Sequence, residues 1–403
     1  MRIAFITPEY VTESNFDGGL ANYLRRVCVS LKELGHQPMV IVGSDREETK
    51  EQEGVQIFCV DVRSRLLGWF DLLSRGCLAQ PAHWIYQSWK MNQKLRQIHN
   101  RQKIDIAQFA SYKATALFRS KSIPAIIRIS SLQFLSDHAY GIRKNLKRAM
   151  LHWLELKSLR TVDRLIGPGR NIALAVEQAV GKHVTIIESP YVPNPEIPDS
   201  QPYKDQLEGK RYLLFFGAIG LLKGVKTIAA IIGTLLARNR DLFFVFVGKD
   251  FGYMGKPMMD YVWRLAGPNR DRVLYLSPMR QQQLEPIIKQ AEAVVLPSRI
   301  DNFPNTCIEA MAYGKIVIGT KNTSFEQLIE DGRSGFLFEI DNEKALLAMI
   351  EKTLNLTDDE KKRIGTRAKE RIDLLKPEIV VRQLLKVYQE VIRGPINNHM
   401  YME

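Results

Sequence analysis

The chain has 403 residues, of which 45% are apolar, and a formal net charge of +13. This length and composition suffice for two domains that each bury a core. Four widely spaced cysteines without a C-x-x-C pair argue against disulfides and a zinc site and favour a reducing cytosol. No apolar run is long enough to span a bilayer, and the N-terminus lacks a signal-peptide core. We therefore expect a cytoplasmic protein that is at most peripheral at the cytoplasmic membrane face.

The first half of the chain alternates apolar, strand-like runs with amphipathic stretches, beginning at Ile3–Thr7. Apolar residues then recur every three or four positions from Leu20 to Leu34, which predicts a helix before the next apolar run at Met39–Val42. Further strand-like runs follow at Val55–Val60, Ile104–Ala107, Ala125–Ile129, Arg164–Ile166 and Val184–Ile187. The alternation predicts a parallel sheet covered by helices.

A basic region lies between Arg63 and Arg170, where 20 Lys and Arg residues face only 5 Asp and Glu residues. Four of the five tryptophans lie in this region: Trp69, Trp84, Trp89 and Trp153. Basic and aromatic side chains together suit an anionic membrane surface, which residues 63–170 would contact. The same composition also fits a solvated face with its tryptophans in the core. Nucleic-acid binding rests on charge alone, so we do not expect a nucleic-acid partner.

The alternating pattern stops at residues 191–210, where prolines and polar residues crowd together and predict a linker. It restarts with strand-like runs at Tyr212–Phe216, Phe243–Val247, Val273–Leu276, Ala293–Leu296 and Ile316–Ile318, and with a helix at about Val225–Ala237. The sequence therefore predicts two α/β domains, residues 1–190 and 211–376, joined by the linker.

The most informative segment runs from Pro297 to Gly314, through a polar turn into an apolar helix. The helix start offers free backbone N–H groups, which form a site for phosphate. Asp301 is placed to accept hydrogen bonds from hydroxyls at one end of a ligand, and Glu309 from a pair of hydroxyls at the other. An anion between two polyols describes a nucleotide sugar. The alternative is a capping box, Thr306-x-x-Glu309, in which the glutamate serves only the helix itself.

The segment resembles the acidic-x7-acidic motif of glycosyltransferase family 4 (group 1), whose members are retaining enzymes with the GT-B fold. The family pattern is usually Glu-x7-Glu followed by Ala-Met-Ala-x-Gly, and this chain has Asp301-x7-Glu309 followed by Ala310-Met311-Ala312-Tyr313-Gly314. Five further segments resemble the family in the same order along the chain: Arg2 to Pro8, Gly18 to Tyr23, Leu34 to His36, Phe216 to Gly224 and Glu330 to Leu337.

The resemblance implies two Rossmann-like domains whose parallel sheets face a central cleft. Residues 1–190 would bind the acceptor, residues 211–376 would bind the donor, and the C-terminal segment 377–403 would cross back onto the first domain. The implied reaction moves a hexose-type sugar from a nucleotide-diphosphate sugar to a sugar or lipid-linked acceptor in polysaccharide or glycolipid biosynthesis. UDP-sugar is the favoured donor class. A catalytically silent relative that binds a nucleotide sugar or a partner protein remains the alternative.

Two departures from the family pattern affect the expected chemistry. Ala218 stands where the family has an arginine five residues before Lys223, so Lys223 is the main candidate to bind the leaving phosphate, and Arg280, Arg299 or a basic group across the cleft could compensate. Ser130 stands at a family histidine, and His138 is a candidate substitute.

The candidate catalytic residues are Lys223, Asp301, Glu309 and His138. The candidate donor-binding residues are Gly18, Gly19, Lys223, Asn302, Phe303, Asn305, Thr306, Cys307 and Glu309. Gly18 and Gly19 would let backbone N–H groups approach the diphosphate or let the acceptor approach the anomeric carbon, while Cys307 is interpreted as a small packed residue rather than a nucleophile. The chain has no Asp-x-Asp motif, so we expect no catalytic metal and no cofactor besides the nucleotide-sugar co-substrate.

Overall fold

The computed structural model describes residues 1–12, 19–64, 78–139, 142–143, 145–194 and 196–394. The chain forms two compact units, the first built from Met1–Pro190 with the C-terminal segment from Leu375, and the second from Tyr191–Leu374. Among the described helices, none combines the length and the apolar character that crossing a bilayer requires.

Among the described residues, the first unit has an eight-stranded sheet in the order β3-β4-β2-β1-β5-β6-β7-β8. Its strands are β1 (Arg2–Thr7), β2 (Gln37–Ser44), β3 (Glu48–Gln52), β4 (Val55–Asp61), β5 (Ile106–Ala110), β6 (Ala125–Arg128), β7 (Arg164–Gly167) and β8 (Val184–Ile186). The pairs are parallel except for β3, which runs antiparallel to β4. β1, β2 and β5 are buried on both faces, which explains why they appear in the sequence as continuous apolar runs.

The edge strand β3 is absent from the sequence prediction. Its residues, Glu-Thr-Lys-Glu-Gln, are charged or polar, and four of the five are exposed. The strand forms because Glu53 and Gly54 take positive φ angles of 52° and 69° and turn the chain into β4. A charged edge strand has no apolar alternation to reveal it, and its charges disfavour pairing with another sheet.

In the described part of the second unit, the strands form a six-stranded parallel sheet in the order β11-β10-β9-β12-β13-β14. Its strands are β9 (Arg211–Phe216), β10 (Leu242–Val247), β11 (Val273–Leu276), β12 (Ala293–Val295), β13 (Val317–Thr320) and β14 (Phe336–Phe338). Successive strands are added on one side of β9 as far as β11, and the chain then returns to the other side with β12. The strand order therefore reverses between β9 and β12, and ligands of open α/β sheets bind at the carboxyl ends of strands at such a point.

The described α-helices cover the faces of the two sheets. They are α1 (Gly19–Glu33), α2 (Ala79–Arg101), α3 (Gln133–Ala139), α4 (Leu146–Thr161), α5 (Arg170–Val180), α6 (Gln201–Gln206), α7 (Val225–Arg238), α8 (Met258–Ala266), α9 (Gln281–Gln290), α10 (Asn305–Ala312), α11 (Phe325–Leu328), α12 (Glu343–Leu354), α13 (Asp358–Asp373) and α14 (Pro377–Arg393). α14 joins the core of the first unit, where Val381 and Tyr388 are fully buried. The Tyr388 hydroxyl donates a hydrogen bond of 2.7 Å to Oε1 of Gln108 on β5.

The segment 191–210, which the sequence predicts to be a linker, belongs to the second unit and contains the short helix α6. Asp199 holds it against α9: the Asp199 N–H donates to Gln282 O at 3.0 Å, and its carboxylate accepts from Gln283 Nε2 at 3.1 Å. These contacts join residues more than 80 positions apart, so the local proline-rich composition does not predict them.

Glu155 on α4 is a buried carboxylate in the first unit. It accepts hydrogen bonds from the N–H groups of Gln133 (2.8 Å) and Phe134 (3.2 Å) at the start of α3. Burial is the main cause that raises its pKa from 4.5 to about 8, and the nearby Asp137 raises it further. The folded state therefore binds a proton that the unfolded state releases between these two values.

We expect the free energy of unfolding to fall as the pH rises from about 5 to about 8, with Glu155 contributing on the order of 2–4 kcal/mol to the decrease. The reason is that ionised Glu155 is stabilised by water in the unfolded chain and loses that hydration on folding. Denaturant unfolding across this pH range should show a smaller decrease for Glu155→Gln than for the wild type. Glu33→Gln, at an exposed position on α1, serves as the control and should leave the slope unchanged; equal slopes for all three proteins would contradict the prediction.

Candidate functional site

The carboxyl ends of β9 and β12 bring two of the predicted site residues together. Lys223 ends the 3-10 turn Leu221–Lys223 that follows β9, and Asp301 lies in the loop after β12. Nζ of Lys223 forms an ion pair with Oδ2 of Asp301, although the two residues are 78 positions apart. The Lys223 side chain is 35% exposed and the Asp301 side chain 12%. The pair holds a partly accessible cation at the point where the strand order reverses.

Close backbone packing fixes the Lys223 turn against the β12 loop. Gly224 has a φ of 71°, and a Cβ at this position would lie only 1.7 Å from the carbonyl oxygen of Pro297. The N–H of Arg299 donates to the carbonyl of Leu222 at 2.8 Å. Only glycine combines this left-handed backbone with so close an approach, so residue 224 sets the position of the lysine before it.

We expect Gly224→Ala to displace the turn and to reduce both stability and donor turnover. The left-handed backbone alone costs an alanine about 1–2 kcal/mol, and the contact with Pro297 adds to that cost. Gly209→Ala is a matched control, since Gly209 has a φ of 74° in the same unit with no atom within 4 Å of the added Cβ. Thermal unfolding and donor turnover should both be more impaired at 224 than at 209; equal effects would show that the approach to Pro297 is unimportant.

Helix α10 begins at Asn305, with Pro304 as its N-cap and no side-chain cap. The N–H groups of Cys307 and Ile308 donate to the Pro304 carbonyl at 3.1 and 3.2 Å. Thr306 therefore lies inside the first turn and does not cap the helix, so the capping-box interpretation of Thr306 and Glu309 is wrong. Because its N–H is used within the helix, Cys307 does not offer the amide predicted for it. Asn305 and Thr306 supply the amides at the helix start.

The glycine loop after β9 lies close to this helix start. Gly217 has a φ of 120°, and a Cβ on it would lie 3.3 Å from Cγ2 of Thr306. Gly248, at the end of β10, approaches the same loop so closely that a Cβ there would lie 1.9 Å from the carbonyl oxygen of Gly217. The loops after β9 and β10 and the start of α10 therefore meet at one edge of the sheet.

Glu309 lies in the second turn of α10 and is partly buried. Its charge helps to raise the pKa of Tyr313, which burial raises more strongly. The Tyr313 hydroxyl donates a 3.0 Å hydrogen bond to Oε2 of Glu285, which also pairs with Lys289 at 2.6 Å. The helix face that carries Glu309 is thus held by a network of charged and polar groups.

Other predicted residues in this segment have mainly structural surroundings. Phe303 is 7% exposed, and Cys307 is completely buried with its Sγ 3.6 Å from Sδ of Met311. Burial raises the pKa of the Cys307 thiol, which agrees with its interpretation as a packed residue. The carbonyl of Asp301 accepts a 2.7 Å hydrogen bond from the Ser324 hydroxyl, which fixes the loop. Asn302 is partly buried beside it.

The two arginines proposed to compensate for Ala218 lie in different surroundings. Nε of Arg299 is 3.0 Å from Oδ2 of Asp341, in a small cavity of about 170 Å³ that Thr227 and Glu343 also line. Arg280 is the exposed N-cap residue of α9. Lys223, in contrast, joins the turn after β9 to the loop after β12 through its ion pair with Asp301.

Comparison with known proteins agrees with this arrangement. The family model described as Glycosyltransferase Family 4 matches residues 17–191, and the model described as Glycosyl transferases group 1 matches residues 199–371. The chain belongs to the group 1 glycosyltransferases. This family consists of transferase enzymes.

Curated relatives of the same family share limited identity with the chain. Alpha-D-kanosaminyltransferase of Streptomyces kanamyceticus is 24% identical over 241 residues, which is 57% of this chain and 60% of the relative. D-inositol 3-phosphate glycosyltransferase of Arthrobacter sp. (strain FB24) is 31% identical over 139 residues, covering 34% and 32% of the two chains. The chain thus spans less than two thirds of the length of these relatives.

Solved structures of glycosyltransferases match almost the whole chain. Sucrose-phosphate synthase from Thermosynechococcus elongatus has a TM-score of 0.74 at 15% identity, over 98% of this chain and 100% of that one. HepE of Anabaena, in complex with UDP and glucose, has a TM-score of 0.69 at 16% identity, over 97% and 100%. These similarities confirm the predicted GT-B fold.

In the first unit of this group 1 glycosyltransferase, the sequence-predicted residues are only partly described. Gly19 begins α1, whereas Gly18 lies outside the described residues. His138 lies in α3, but its side chain is outside the described part of the structure. Ser130 is 8% exposed, and its hydroxyl lies 3.3 Å from that of Ser111.

Sequence reasoning missed two charged residues, Glu9 and Lys113, at the corresponding edge of the first sheet. The strand order of that sheet reverses between β1 and β5; Glu9 follows β1 and Lys113 follows β5. Burial raises the pKa of Glu9, which the charge of Lys113 partly offsets, and burial lowers the pKa of Lys113. Lys113 also has a φ of 58°, a rare backbone conformation for a residue other than glycine. Their positions directly after two apolar strands are the signal that could have revealed them.

A second missed feature is the loop after β10, which lines an open cavity of about 560 Å³ together with Leu221. The carboxylate of Asp250 accepts hydrogen bonds from the N–H groups of Gly252 (2.7 Å), Met258 (2.8 Å) and Met259 (3.0 Å), which ties the loop to the start of α8. Phe251 is 65% exposed at this cavity. Since Leu221 belongs to the Lys223 turn, the cavity adjoins the candidate site.

Proposed function

We propose that the protein is a retaining glycosyltransferase that moves a hexose-type sugar from a nucleotide-diphosphate sugar to a sugar or lipid-linked acceptor. The observation that carries this proposal is the Lys223–Asp301 pair beside the start of α10, where the strand order of the second sheet reverses. Such a place combines a cation, oriented amides and a carboxylate within reach of one ligand. The acceptor would belong to polysaccharide or glycolipid assembly at the cytoplasmic face of a membrane.

Each residue has a defined role in this proposal. Lys223 and the N–H groups of Asn305 and Thr306 would bind the diphosphate, and Glu309 would accept hydrogen bonds from donor hydroxyls. Asp301 would orient the Lys223 ammonium through the observed ion pair and accept a hydrogen bond from the transferred sugar. Asn302 and Phe303 would shape the loop between these groups.

The chemistry follows from the charge that these groups can stabilise. The bond between the anomeric carbon and the phosphate oxygen would break while the acceptor hydroxyl attacks from the same face, so that the configuration is retained. The departing phosphate oxygen would take the acceptor's proton, which removes the need for a protein base. Positive charge and amides fixed where the leaving charge develops lower the barrier without requiring a metal.

UDP-sugar is the donor class that we propose. The solved HepE structures contain UDP, and one of them contains UDP-glucose; that complex has a TM-score of 0.70 with this chain. The first unit would bind the acceptor. The candidates for polar contacts with the acceptor are Gly18, Gly19 and His138 and, in addition, Glu9 and Lys113.

The proposal is tested with a panel of UDP-, GDP- and ADP-sugars, measuring donor binding by thermal shift and nucleotide release with and without simple sugar acceptors. We expect binding of a UDP-sugar and release that Glu309→Ala removes. Binding without release under every condition would support the alternative of a catalytically silent nucleotide-sugar-binding relative. If no donor binds, the proposal is wrong.

A further inference from the structure

The outer face of helix α4 carries large apolar side chains exposed to solvent. Leu146 is 67% exposed and Trp153, two turns later, is 56% exposed. Ala149 lies between them on the same face, and Ile142, just before the helix, is 40% exposed. Spacings of three and four residues place Leu146, Ala149 and Trp153 in one stripe along the helix. Leu151 and Leu154 point the other way and are buried, so this stripe is additional to the helix's core-facing side.

The charges of α4 are distributed unevenly around it. The helix contains four cations, Lys147, Arg148, Lys157 and Arg160, and one carboxylate, Glu155. Glu155 is completely buried and faces the start of α3, whereas Lys157 is exposed and places its Nζ 4.5 Å from the centre of the Trp153 ring. The exposed face of α4 thus combines apolar and cationic groups with no carboxylate among its described residues.

The neighbouring helix α2 also carries large apolar side chains that are exposed to solvent. Trp84 of α2 packs with Leu151 and Leu154 of α4 in one buried cluster, so the two helices are adjacent. Ile85 and Trp89 of α2 are 38% and 41% exposed. Trp84 is therefore a core residue, while Trp89 and Trp153 are surface residues. Of the two interpretations of the basic, tryptophan-rich region, a tryptophan in the core applies to Trp84 and an exposed aromatic surface to Trp89 and Trp153.

We infer that the outer face of α4 docks on an anionic lipid bilayer. Tryptophan and leucine side chains at this face would enter the boundary between headgroups and acyl chains, where amphipathic helices lie parallel to the membrane. Lys157 and Arg160, both exposed, continue this stripe at four and seven residues after Trp153 and match the negative charge of lipid phosphates. A nucleic acid would use the cations but gain little from Leu146 and Ile142, so the bilayer fits the exposed apolar surface better. Docking is independent of donor turnover and goes beyond the proposed function.

The test is sedimentation of the full-length protein with vesicles of equimolar phosphatidylglycerol and phosphatidylcholine, and with vesicles of phosphatidylcholine alone. We expect binding to the anionic vesicles that weakens with salt, and little binding to the neutral ones. Leu146→Ser/Trp153→Ser should weaken binding by about tenfold or more because the inserted apolar area is lost. Lys157→Glu/Arg160→Glu should weaken it at least as much, since each lost cation alone is worth about fivefold.

The matched controls are in the second unit: Ile197→Ser removes an apolar side chain that is 88% exposed, and Lys344→Glu/Lys362→Glu reverses two exposed charges. Both should bind anionic vesicles like the wild type. The inference is overturned if the wild type does not bind anionic vesicles, or if the α4 variants bind as well as the controls. It is also overturned if duplex DNA competes for the face and only the charge reversals matter. Donor turnover measured without vesicles shows separately whether the proposed function holds.

Discussion

Replacing Lys223 with methionine is expected to reduce donor turnover by about two to three orders of magnitude. Methionine keeps the length and apolar stem of the side chain but removes the positive charge, so the developing charge on the leaving phosphate loses its main cation. Removing one fixed donor from a site that stabilises such charge typically has an effect of this size. Since Ala218 provides no second cation in the same loop, the loss should be close to the upper end of that range.

The measurement is nucleotide release and sugar transfer at saturating donor, with thermal unfolding as a check on folding. Lys226→Met is a matched control, because Lys226 is exposed at the start of α7, three residues after Lys223. Its turnover should equal that of the wild type. If Lys223→Met and Lys226→Met have the same turnover, Lys223 does not bind the leaving phosphate.

The ion pair with Asp301 makes a further prediction about this lysine. Asp301→Asn removes the partner that orients Nζ, so it should lower turnover by about ten- to a hundredfold. If Asp301 acts mainly by positioning Lys223, the double variant Lys223→Met/Asp301→Asn should be scarcely slower than Lys223→Met, because the two losses are then not additive. Fully additive losses would instead show that Asp301 contacts the donor independently of Lys223.

Glu309→Gln is expected to lower turnover by about a hundredfold while leaving the thermal unfolding temperature nearly unchanged. The substitution keeps the shape of the side chain, but it removes the negative charge that strengthens hydrogen bonds from donor hydroxyls. The N-cap of α10 is Pro304, so Glu309 is not at the third helical position, from which a glutamate side chain can cap a helix. We therefore expect no loss of a helix cap. Glu326→Gln, at an exposed position in the same unit, should retain full turnover. A fall in stability without a fall in turnover would assign Glu309 to the fold.

The apolar patterns of the sequence predicted the central strands of both sheets because those strands are buried on both sides. The apolar patterns did not predict two elements at the edges of the units: β3 is charged, and α6 lies in a proline-rich segment. β3 depends on a turn at Glu53–Gly54 and on pairing with β4, while α6 packs against α9 through Asp199. Such elements are stabilised by partners elsewhere in the chain, so local composition does not reveal them.

The candidate site shows the same division. The sequence motifs located Lys223, Asp301 and Glu309, because a strand followed by a polar turn and a helix places its functional groups at one edge of a sheet. They did not predict that Lys223 and Asp301 pair with each other, nor that the charges of Glu9 and Lys113 influence one another at the edge of the other sheet. They also assigned the Cys307 amide to a ligand, whereas the helix uses it for its own first turn.

By itself, the sequence determined the α/β class, the family and the segments that form the candidate site, because these follow from periodicity and from contiguous motifs. Tertiary structure alone decided which charges face one another, which glycines permit close approach, and which tryptophans are buried. The physical reason is that burial and ion pairing depend on distances between residues far apart in the chain, such as Gly224 with Pro297 and Lys223 with Asp301. Those distances are set by how the strands order themselves in the sheet.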